Sequence, residues 1–370
     1  MNEKTPLNAL CLGWCDADDV INYGQMLQGC AMMYIVRHLV SGKITFVSFF
    51  PRNKKEKLRY WLKHYDIFSG HLIPYLKTRK NVKFFIRHND IHFIKANDDK
   101  KLNKLSQDVE VMICGSDQIW HPQNYDKVFF LGFGDKNIKR ISYASSIPKT
   151  KIEPQFKKQI QAMKNHLEQI DEISIRESLS VPFVQELCNK KVHSVFDPTF
   201  LVPISIWNGL IEKKNVQDNY IFVYAPNGVD KKMVKIIDQI KAINPDSVVY
   251  SIVTRGEKHV IESKELGFVS LGQFLYLIKN ASCVITSSFH AVVFCSIFHK
   301  EFWCYNCTNP QRGEDVRLAS LLQDLGIPER LINTEDDIIN SPIDFKAVDK
   351  QISINSEKSK AFFRNALNNN

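Results

Sequence analysis

Short apolar runs rich in β-branched residues alternate along the chain with longer stretches whose apolar positions recur at helical spacing. This alternation predicts parallel β-sheets whose strands are joined by crossover helices. The predicted strands are Leu10–Trp14, Ile44–Phe49, Val109–Cys114, Lys139–Tyr143, Glu172–Ile175, Val192–Phe196, Tyr220–Tyr224, Ser247–Val253 and Cys283–Thr286. The predicted helices are Gly24–Leu39, Lys157–Gln169, Val181–Leu187, Lys231–Ile243, Leu271–Lys279 and Ala291–Ile297.

The strands fall into two sets in series, which divide near Pro198–Pro203. A chain of 370 residues has room for two ordinary domains. We therefore expect an α/β protein with two Rossmann-like domains that face a cleft. The expected domains are residues 1–198 and 199–344, and residues 345–370 form a tail that we expect to be a helix packed on the first domain.

The composition is that of a globular protein, with 44% hydrophobic and 24% charged residues, and it excludes collagen, disordered tails and disulfide miniproteins. The net charge is +9, and the segment Arg52–Lys104 has 15 basic and five acidic residues. This segment therefore carries +10 and the rest of the chain −1. It favours an anionic partner such as a phosphorylated substrate or an anionic membrane surface, although solvated helix faces explain it equally well. Nucleic acid is the weakest interpretation, because aromatic RNA-binding signatures and zinc-finger spacing are missing.

The first residues lack the pattern of a signal peptide, and the sequence has no apolar stretch long enough to span a membrane. The nine cysteines are irregularly spaced, which fits a reducing compartment, so we expect a cytoplasmic protein. Cys304 and Cys307 form a lone CxxC pair without a second pair for zinc. No cluster of His, Asp and Glu has the spacing of metal ligands, so we expect no bound metal.

Ligands of open parallel sheets bind at the carboxyl ends of the strands, where several polar clusters of this sequence lie. Asn22 and Gly24 follow the first strand and precede a helix that carries Gln28. The free amides of that helix start suit an anion or a sugar hydroxyl. Ordinary helix capping explains Asn22 and Gly24 equally well but does not explain Gln28.

A second cluster, Gly115-Ser116-Asp117-Gln118-Ile119-Trp120, follows the strand that ends at Cys114. The glycine permits a sharp exit from the sheet, and three hydrogen-bonding side chains follow it. Trp120 next to Asp117 and Gln118 is typical of a sugar site, in which the indole covers the apolar face of the sugar and the polar groups bind hydroxyls. The alternative is a loop whose polar side chains bond to their own backbone.

Arg176 and Glu177 end another strand, and an arginine fork matches carboxylate or phosphate. A surface pair of the two residues is the alternative. Because neighbouring residues of a strand point to opposite faces, we expect Arg176 to be free for another partner. Asp197 lies at the predicted domain junction, where a hinge or a cleft rim is a more natural role than chemistry.

The last cluster runs from a buried strand through Thr286, Ser287 and Ser288 to His290 and into an apolar helix. A histidine in this position can exchange protons near neutral pH, and the helix start with its hydroxyls can bind an anion. A structural role is the usual one for a single histidine. Downstream cations that could neutralise a phosphate are Lys300, Arg312 and Arg317.

These clusters, in this order, resemble the polysaccharide pyruvyl transferase family. The resemblance covers about residues 10 to 335, and each motif is modestly specific while the ordered set is strong. The motifs are Asn22-Tyr23-Gly24 with Leu27-Gln28, Gly115–Trp120, Ile141–Ser146, Ile175-Arg176-Glu177, Phe196–Thr199, Ser287–His290 and Arg317–Ile327.

The resemblance implies transfer of a pyruvyl group from phosphoenolpyruvate, a co-substrate rather than a cofactor, to two hydroxyls of one sugar, giving a cyclic ketal. It also implies a GT-B-like fold with the donor between the domains, and we expect the N-terminal domain to form the acceptor side and the C-terminal domain the donor side. The family's catalytic arginine and histidine fall on Arg176 and His290. Several members have Arg-Leu where this chain has Ser288-Phe289, so Arg312 or Arg317 is expected to replace the missing arginine.

The expected donor site thus comprises Ser287, Ser288, Arg312 and Arg317 beside the catalytic pair, and the expected acceptor site comprises Asn22, Gly24, Gln28, Gly115, Ser116, Asp117, Gln118 and Trp120. The expected acceptor is a glycan or a sugar on a polyprenyl diphosphate, which the protein meets as a cytoplasmic enzyme with peripheral contact to the inner membrane face. A nucleotide-sugar glycosyltransferase of GT-B type and a catalytically inactive relative remain the alternatives.

Overall fold

The computed structural model describes residues 4–15, 22–49, 72–226, 228–253, 261–306, 313–333, 337 and 341–368. The chain divides into two compact units. The first comprises the described residues of Met1–Lys63, Val82–Val202 and Ile354–Asn370, and the second those of His64–Asn81 and Pro203–Ser353.

The first unit is built around a seven-stranded sheet with the order β3-β2-β1-β4-β5-β6-β7, in which every pair of neighbours is parallel. Its strands are β1 Ala9–Gly13, β2 Ile44–Phe49, β3 His92–Ala96, β4 Val111–Cys114, β5 Lys139–Ser145, β6 Glu172–Ile175 and β7 Val192–Ser194. The helices in this part of the chain are α1 Tyr23–Leu39, α2 Leu72–His88, α3 Asp99–Leu105, α4 Lys157–Leu167 and α5 Val181–Cys188. Residues 72–81 of α2 belong to the second unit.

The second unit repeats the plan with six parallel strands in the order β10-β9-β8-β11-β12-β13. Its strands are β8 Tyr220–Ala225, β9 Val248–Val253, β10 Lys264–Glu265, β11 Cys283–Thr286, β12 Phe302–Tyr305 and β13 Leu331–Ile332. Its helices are α6 Ile204–Leu210, α7 Lys231–Ile243, α8 Leu271–Asn280, α9 Phe289–Ile297 and α10 Arg317–Leu325, and the chain ends in α11 Phe345–Asn368.

The central strands are buried along their whole length, as in parallel sheets with helices on both faces. This burial explains why apolar runs identified β1, β4, β8 and β11 in the sequence. The prediction of two Rossmann-like α/β domains is confirmed for the two sheets. Among the described helices, none combines the length and apolar character that crossing a bilayer demands.

The unit boundaries differ from the expected ones in two respects. The first unit continues to Val202 rather than residue 198, and the second unit includes the described residues 72–81 of α2. Helix α11 packs on the first unit near its end, where the Phe363 ring stacks on Tyr143 with centroids 4.6 Å apart. The backbone N–H of Phe196 also donates to Ser359 Oγ at 2.8 Å.

Candidate functional site

In each sheet the strand order reverses direction once, between β1 and β4 in the first unit and between β8 and β11 in the second. Loops diverge at such a switch point and leave a crevice at the carboxyl ends of the strands, which is where open α/β sheets bind ligands. The loop after β4 begins at Gly115, and the turn after β11 leads to His290. Both sequence motifs therefore lie at the positions that topology favours.

At the carboxyl edge of the first sheet, five polar side chains that follow β4, β5, β6 and β7 are hydrogen-bonded to one another. We call them the carboxyl-edge network, and they are Ser116, Ser146, Arg176, Glu177 and Asp197. All five residues are buried. Buried charges are tolerated only when they are paired and hydrogen-bonded, and each ionic member of this network is paired.

Arg176 lies between two carboxylates. Its Nε donates to Glu177 Oε1 at 3.2 Å and its Nη1 donates to Asp197 Oδ2 at 3.0 Å, while its side chain is only 2% exposed. Arg176 does have a partner other than Glu177, as expected, but it also pairs with Glu177, which the alternation of strand side chains did not predict. Strand β6 ends at Ile175, so the alternation of strand side chains does not extend to these two residues.

Glu177 joins the loop after β5 to this arginine. Its Oε1 also accepts from Ser146 Oγ at 2.7 Å, and its Oε2 accepts from the backbone N–H of Ile147 at 3.0 Å. The carboxylate thus satisfies backbone and side-chain donors of the neighbouring strand exit. It is a structural partner of Arg176 rather than an exposed surface charge.

Asp197 joins three elements of the first unit. Its Oδ2 accepts from Ser116 Oγ at 3.1 Å and from Arg176, and its Oδ1 accepts from the Thr199 hydroxyl at 2.7 Å and the Thr199 N–H at 3.1 Å. Because Asp197 is 1% exposed, the interpretation as a cleft rim is wrong, while the hinge role stays a prediction. Burial and the Asp197 charge together raise the pKa of Tyr143 well above its ordinary value.

The loop after β4 has a backbone that only certain residues accept. Gly115 has φ +139°, and a Cβ built on it would lie 1.9 Å from the Tyr143 carbonyl oxygen. Asp117 has φ +77°, and its side chain does not cap the turn at Gln118–Trp120 that it precedes. Glycine at position 115 is therefore required by both the backbone angle and the lack of space.

Two residues of the expected acceptor site are corrected by their burial. Trp120 is 1% exposed, its ring stacks on Phe130 and its Nε1 donates to the Phe129 carbonyl at 3.0 Å, so it cannot cover a sugar. Gln28 is fully buried and its Nε2 donates to the carbonyls of Trp14 and Gln25, both at 3.0 Å. Its Oε1 accepts from the backbone N–H of Ser116 at 3.3 Å, so Gln28 positions the loop after β4.

The remaining acceptor candidates have local roles in the first unit. Asn22 is the N-cap of α1 and accepts from the Gln25 N–H at 3.2 Å, as the capping alternative has it. Gly24 is buried in the first turn of α1. The backbone carbonyl of Gln118 accepts a hydrogen bond from Asn124 Nδ2. Among the expected acceptor residues, Asp117 combines a position at the switch point with a carboxylate for which the described chain offers no hydrogen-bond donor.

The turn after β11 is held by the neighbouring strand β8. Thr286 Oγ1 donates to the Tyr224 carbonyl at 2.6 Å and accepts from the Ser288 N–H at 3.0 Å, and the Ser287 N–H also donates to that carbonyl at 3.3 Å. Ser288 is the N-cap of α9 and accepts from the Ala291 N–H at 3.4 Å. A serine is a favoured N-cap, so Ser288 has a structural role at the start of α9.

His290 lies in the first turn of α9, and its Nε2 is buried. Ser287 Oγ is also buried and has no hydrogen-bond partner within the part of the chain that the structure describes. A buried hydroxyl without a partner is costly, and a bound oxyanion would satisfy it at the positive end of the helix dipole. The turn therefore has the elements of an anion site.

The downstream cations differ in their availability. Arg317 forms a bidentate ion pair with Asp315, with Nη2 2.6 Å from Oδ2 and Nε 2.9 Å from Oδ1, so its charge is already compensated. Burial lowers the pKa of Lys300 below its ordinary value of 10.5. Arg312 lies outside the described residues, as does Cys307 of the CxxC pair. Within the described ranges, no group of three or more His, Cys, Asp or Glu is arranged to hold a metal ion.

Two parallel sheets of Rossmann strand order, each with a polar loop at its switch point, define a protein of the GT-B structural class. Comparison with solved structures agrees. UDP-N-acetylglucosamine 2-epimerase from Rickettsia bellii aligns with TM-score 0.53 and 8% identity over 98% of this chain and 97% of its own. A putative enzyme of that name from Listeria monocytogenes aligns with TM-score 0.51 and 6% identity over 98% and 91%. These likenesses concern the fold alone.

The model of the polysaccharide pyruvyl transferase family matches residues 22–309, and the chain belongs to this family. The comparison with curated proteins finds no match. The chain spans 63% of the length of an O-GlcNAc transferase mutant from Thermobaculum terrenum, to which it is 10% identical. The TM-score of 0.49 is too low for this similarity to support a conclusion.

Sequence patterns missed the central role of the carboxylates in the first unit. Asp197 and Glu177 hold Arg176 and Ser116, yet only the arginine was assigned to the chemistry. A signal was present, because Glu177 and Asp197 follow strand ends within three residues, and a carboxylate that becomes buried there must find partners. Thr286, which fixes the turn before His290, was noted only as one of three hydroxyls.

Proposed function

We propose that the protein transfers a pyruvyl group from phosphoenolpyruvate to two hydroxyls of one sugar in a cell-surface polysaccharide precursor, forming a cyclic ketal. The family membership supports a transferase of this kind. The observation that carries the proposal for this chain is the turn Ser287–His290, which offers a helix start, a buried hydroxyl without a partner and an imidazole at one switch point.

The proposed chemistry has two additions at one carbon. A proton adds to the methylene carbon of the enol, and a sugar hydroxyl attacks the cation that forms at the neighbouring carbon. The bond from that carbon to the phosphate oxygen then breaks, and the second hydroxyl closes the ring. The two hydroxyl protons account for the new methyl hydrogen and for the proton on the released phosphate.

We assign the proton transfer to His290, a role that typically contributes ~10²–10⁴-fold to the rate. Ser287, Ser288 and the backbone amides of the α9 start bind the phosphate or carboxylate of the donor. Arg312 is a further candidate for the donor phosphate, whereas Arg317 must first give up its ion pair with Asp315. Electrostatic stabilisation of this kind is usually the largest contribution to catalysis.

For the first unit we propose an acceptor role centred on the loop Gly115–Asp117. Asp117 binds a sugar hydroxyl, and the carboxyl-edge network holds the loop in place. The contacts of Arg176 support a positioning role through Asp197. A direct contact between Arg176 and the donor, as the resemblance implies, remains a prediction.

The acceptor is a sugar carried on a polyprenyl diphosphate at the inner face of the membrane. No bound metal or cofactor takes part in the proposed reaction. If this is right, excess EDTA leaves the rate of phosphate release unchanged.

The test is release of phosphate from phosphoenolpyruvate by the purified protein in the presence of lipid-linked sugar from its host. We expect His290→Ala to lower the rate at least ~10²-fold, while His299→Ala, which changes an exposed histidine of the same unit, leaves it unchanged. Equal rates for the His290 variant and the wild type would remove this residue from the mechanism.

A binding experiment separates the proposal from a nucleotide-sugar glycosyltransferase. Two structural neighbours are UDP-N-acetylglucosamine 2-epimerases by name, so we use UDP-N-acetylglucosamine as the competing ligand. A ligand that binds only the folded protein stabilises it by about 2.7 kcal/mol at a hundredfold excess over Kd. We expect phosphoenolpyruvate to raise the melting temperature and UDP-N-acetylglucosamine to leave it unchanged. The reverse result favours the glycosyltransferase, and no shift with either favours an inactive relative.

A further inference from the structure

Helix α2 has two faces of different character. Tyr75, Thr78, Val82 and Phe85 are buried. The opposite side carries six side chains within about 100° of arc at 3.6 residues per turn. We call this side the α2 outer face, and it consists of Ile73, Leu76, Lys80, Lys83, Phe84 and Arg87.

The apolar members of the α2 outer face are unusually exposed. Ile73 is 66% exposed, Leu76 53% and Phe84 48%. They account for three of the seven large hydrophobic side chains that are exposed in the described chain. Single exposed apolar residues need no explanation, but three on one side of one helix mark an interaction surface.

The cations of the face are equally distinctive. Lys80, Lys83 and Arg87 are exposed and form no ion pair within the described ranges, and α2 contains no Asp or Glu. The two other cations of the helix already have partners, since Lys77 pairs with Glu212 and Arg79 contacts Tyr75. The outer face therefore presents apolar side chains among uncompensated positive charges.

This combination fits one kind of partner. A nucleic acid matches the cations but offers its phosphate backbone to the isoleucine, leucine and phenylalanine. A second copy of the same face matches the apolar residues but brings lysines and arginine against one another. An anionic bilayer satisfies both, because cations meet the headgroups while apolar side chains enter the acyl boundary.

We propose that the α2 outer face binds the surface of an anionic phospholipid bilayer with the helix lying in the plane of the interface. This proposal rests on the proposed function, because a lipid-linked acceptor lies in such a bilayer. The binding itself is measured without turnover. The proposal assigns the membrane contact to six residues of the basic segment Arg52–Lys104, three of them cationic and three apolar.

The experiment is co-sedimentation of the full chain with vesicles of phosphatidylcholine alone or mixed with phosphatidylglycerol. An apolar variant carries Ile73→Ser, Leu76→Ser and Phe84→Ser, and a charge variant carries Lys80→Gln and Lys83→Gln. The control is Ile243→Ser, which removes an equally exposed isoleucine at the end of α7. Melting curves check that each variant is folded, and size-exclusion chromatography with light scattering gives its oligomeric state.

We expect the wild type and the control to bind the mixed vesicles and not the neutral ones. The charge variant should bind the mixed vesicles about fivefold more weakly for each cation removed. The apolar variant should dissociate from them at a salt concentration at which the wild type stays bound. Absence of binding to mixed vesicles, or binding that neither variant weakens, overturns the proposal. So does a wild-type dimer that the apolar variant converts to monomers, which would assign the face to a second copy.

A second readout separates this inference from the proposed function. Phosphate release with a short, water-soluble acceptor does not need a membrane, so the α2 variants should retain the wild-type rate. Variants that lose vesicle binding and keep this rate support the surface assignment. A wild type that binds vesicles but releases no phosphate contradicts the proposed function and leaves the membrane surface standing.

Discussion

Replacing Asp197 by alanine removes the acceptor of four hydrogen bonds at the carboxyl edge of the first sheet. Arg176 keeps Glu177 but loses its second carboxylate in surroundings where its side chain is 2% exposed. Breaking a buried ion pair by removing one partner costs about 3–5 kcal/mol. Asp197→Asn keeps the shape and loses only the charge, so it should cost about 1.5–3 kcal/mol, the range for hydrogen bonds to charged groups.

Scanning calorimetry is the appropriate assay, because two units can unfold in separate transitions. For units of this size each kcal/mol lowers the melting temperature by about 2–4 °C, so Asp197→Ala should lower the affected transition by about 6–20 °C. The matched control is Asp108→Ala, an exposed carboxylate of the same unit, for which we expect a change within about 0.5 kcal/mol.

A double-mutant cycle tests whether the loss belongs to the ion pair. Arg176→Ala with Asp197→Ala should cost about 1–3 kcal/mol less than the sum of the single changes, because the second change no longer strands a buried charge. If Asp197→Ala melts like the Asp108 control, or if the two single changes simply add, the stability does not come from the buried ion pair.

Three further predictions follow from the described residues. Gly115→Ala should lower the free energy of unfolding by about 3 kcal/mol or more, because φ is +139° at this position and the added Cβ would meet the Tyr143 carbonyl. The control is Gly267→Ala, at φ +59° with no atom within 4 Å of the added Cβ, which should cost about 1 kcal/mol. Equal urea midpoints for the two variants would contradict this prediction. Burial lowers the pKa of both His166 and His193 below 6.5, so the folded state favours the neutral imidazoles and stability should be lost as the pH falls below 6.5. Replacing both histidines by glutamine should make the melting temperature depend less on pH. An unchanged dependence would exclude these two histidines as its cause. The eight described cysteines are buried, and burial raises the pKa of the Cys304 thiol. An alkylating reagent should therefore label none of the eight in the native protein and all of them in urea, as measured by mass spectrometry. Rapid labelling of Cys304 in the native protein would contradict this prediction.

The fold was predictable where burial leaves a clear pattern. Central strands such as β4 and β11 are fully buried and read as continuous apolar runs. The edge strand β3 carries His92 and Lys95, and β10 has only two exposed residues, so neither produces such a run. Strand β13 has only two residues, and its pairing is decided by its neighbour in the sheet rather than by local sequence.

The site was predictable in its positions but less so in its contacts. Loops after β4, β6 and β11 could be singled out because parallel topology brings polar residues to one edge. Whether Trp120 faces a sugar or the core depends on Phe130 and on the Phe129 carbonyl, which the local motif does not reveal. The pairing of Arg176 with both of its carboxylates likewise depends on where β6 ends.

The proposed transfer can be observed directly by incubating the protein with isotopically labelled phosphoenolpyruvate and the lipid-linked sugars of its host, and then analysing the glycan by mass spectrometry. We predict one labelled pyruvyl group per modified sugar, attached as a ketal through two oxygens, with one phosphate released for each. Unlabelled glycan in the presence of a folded protein that binds the donor, or label attached as an ester through a single oxygen, would contradict transfer of a pyruvyl group as a ketal.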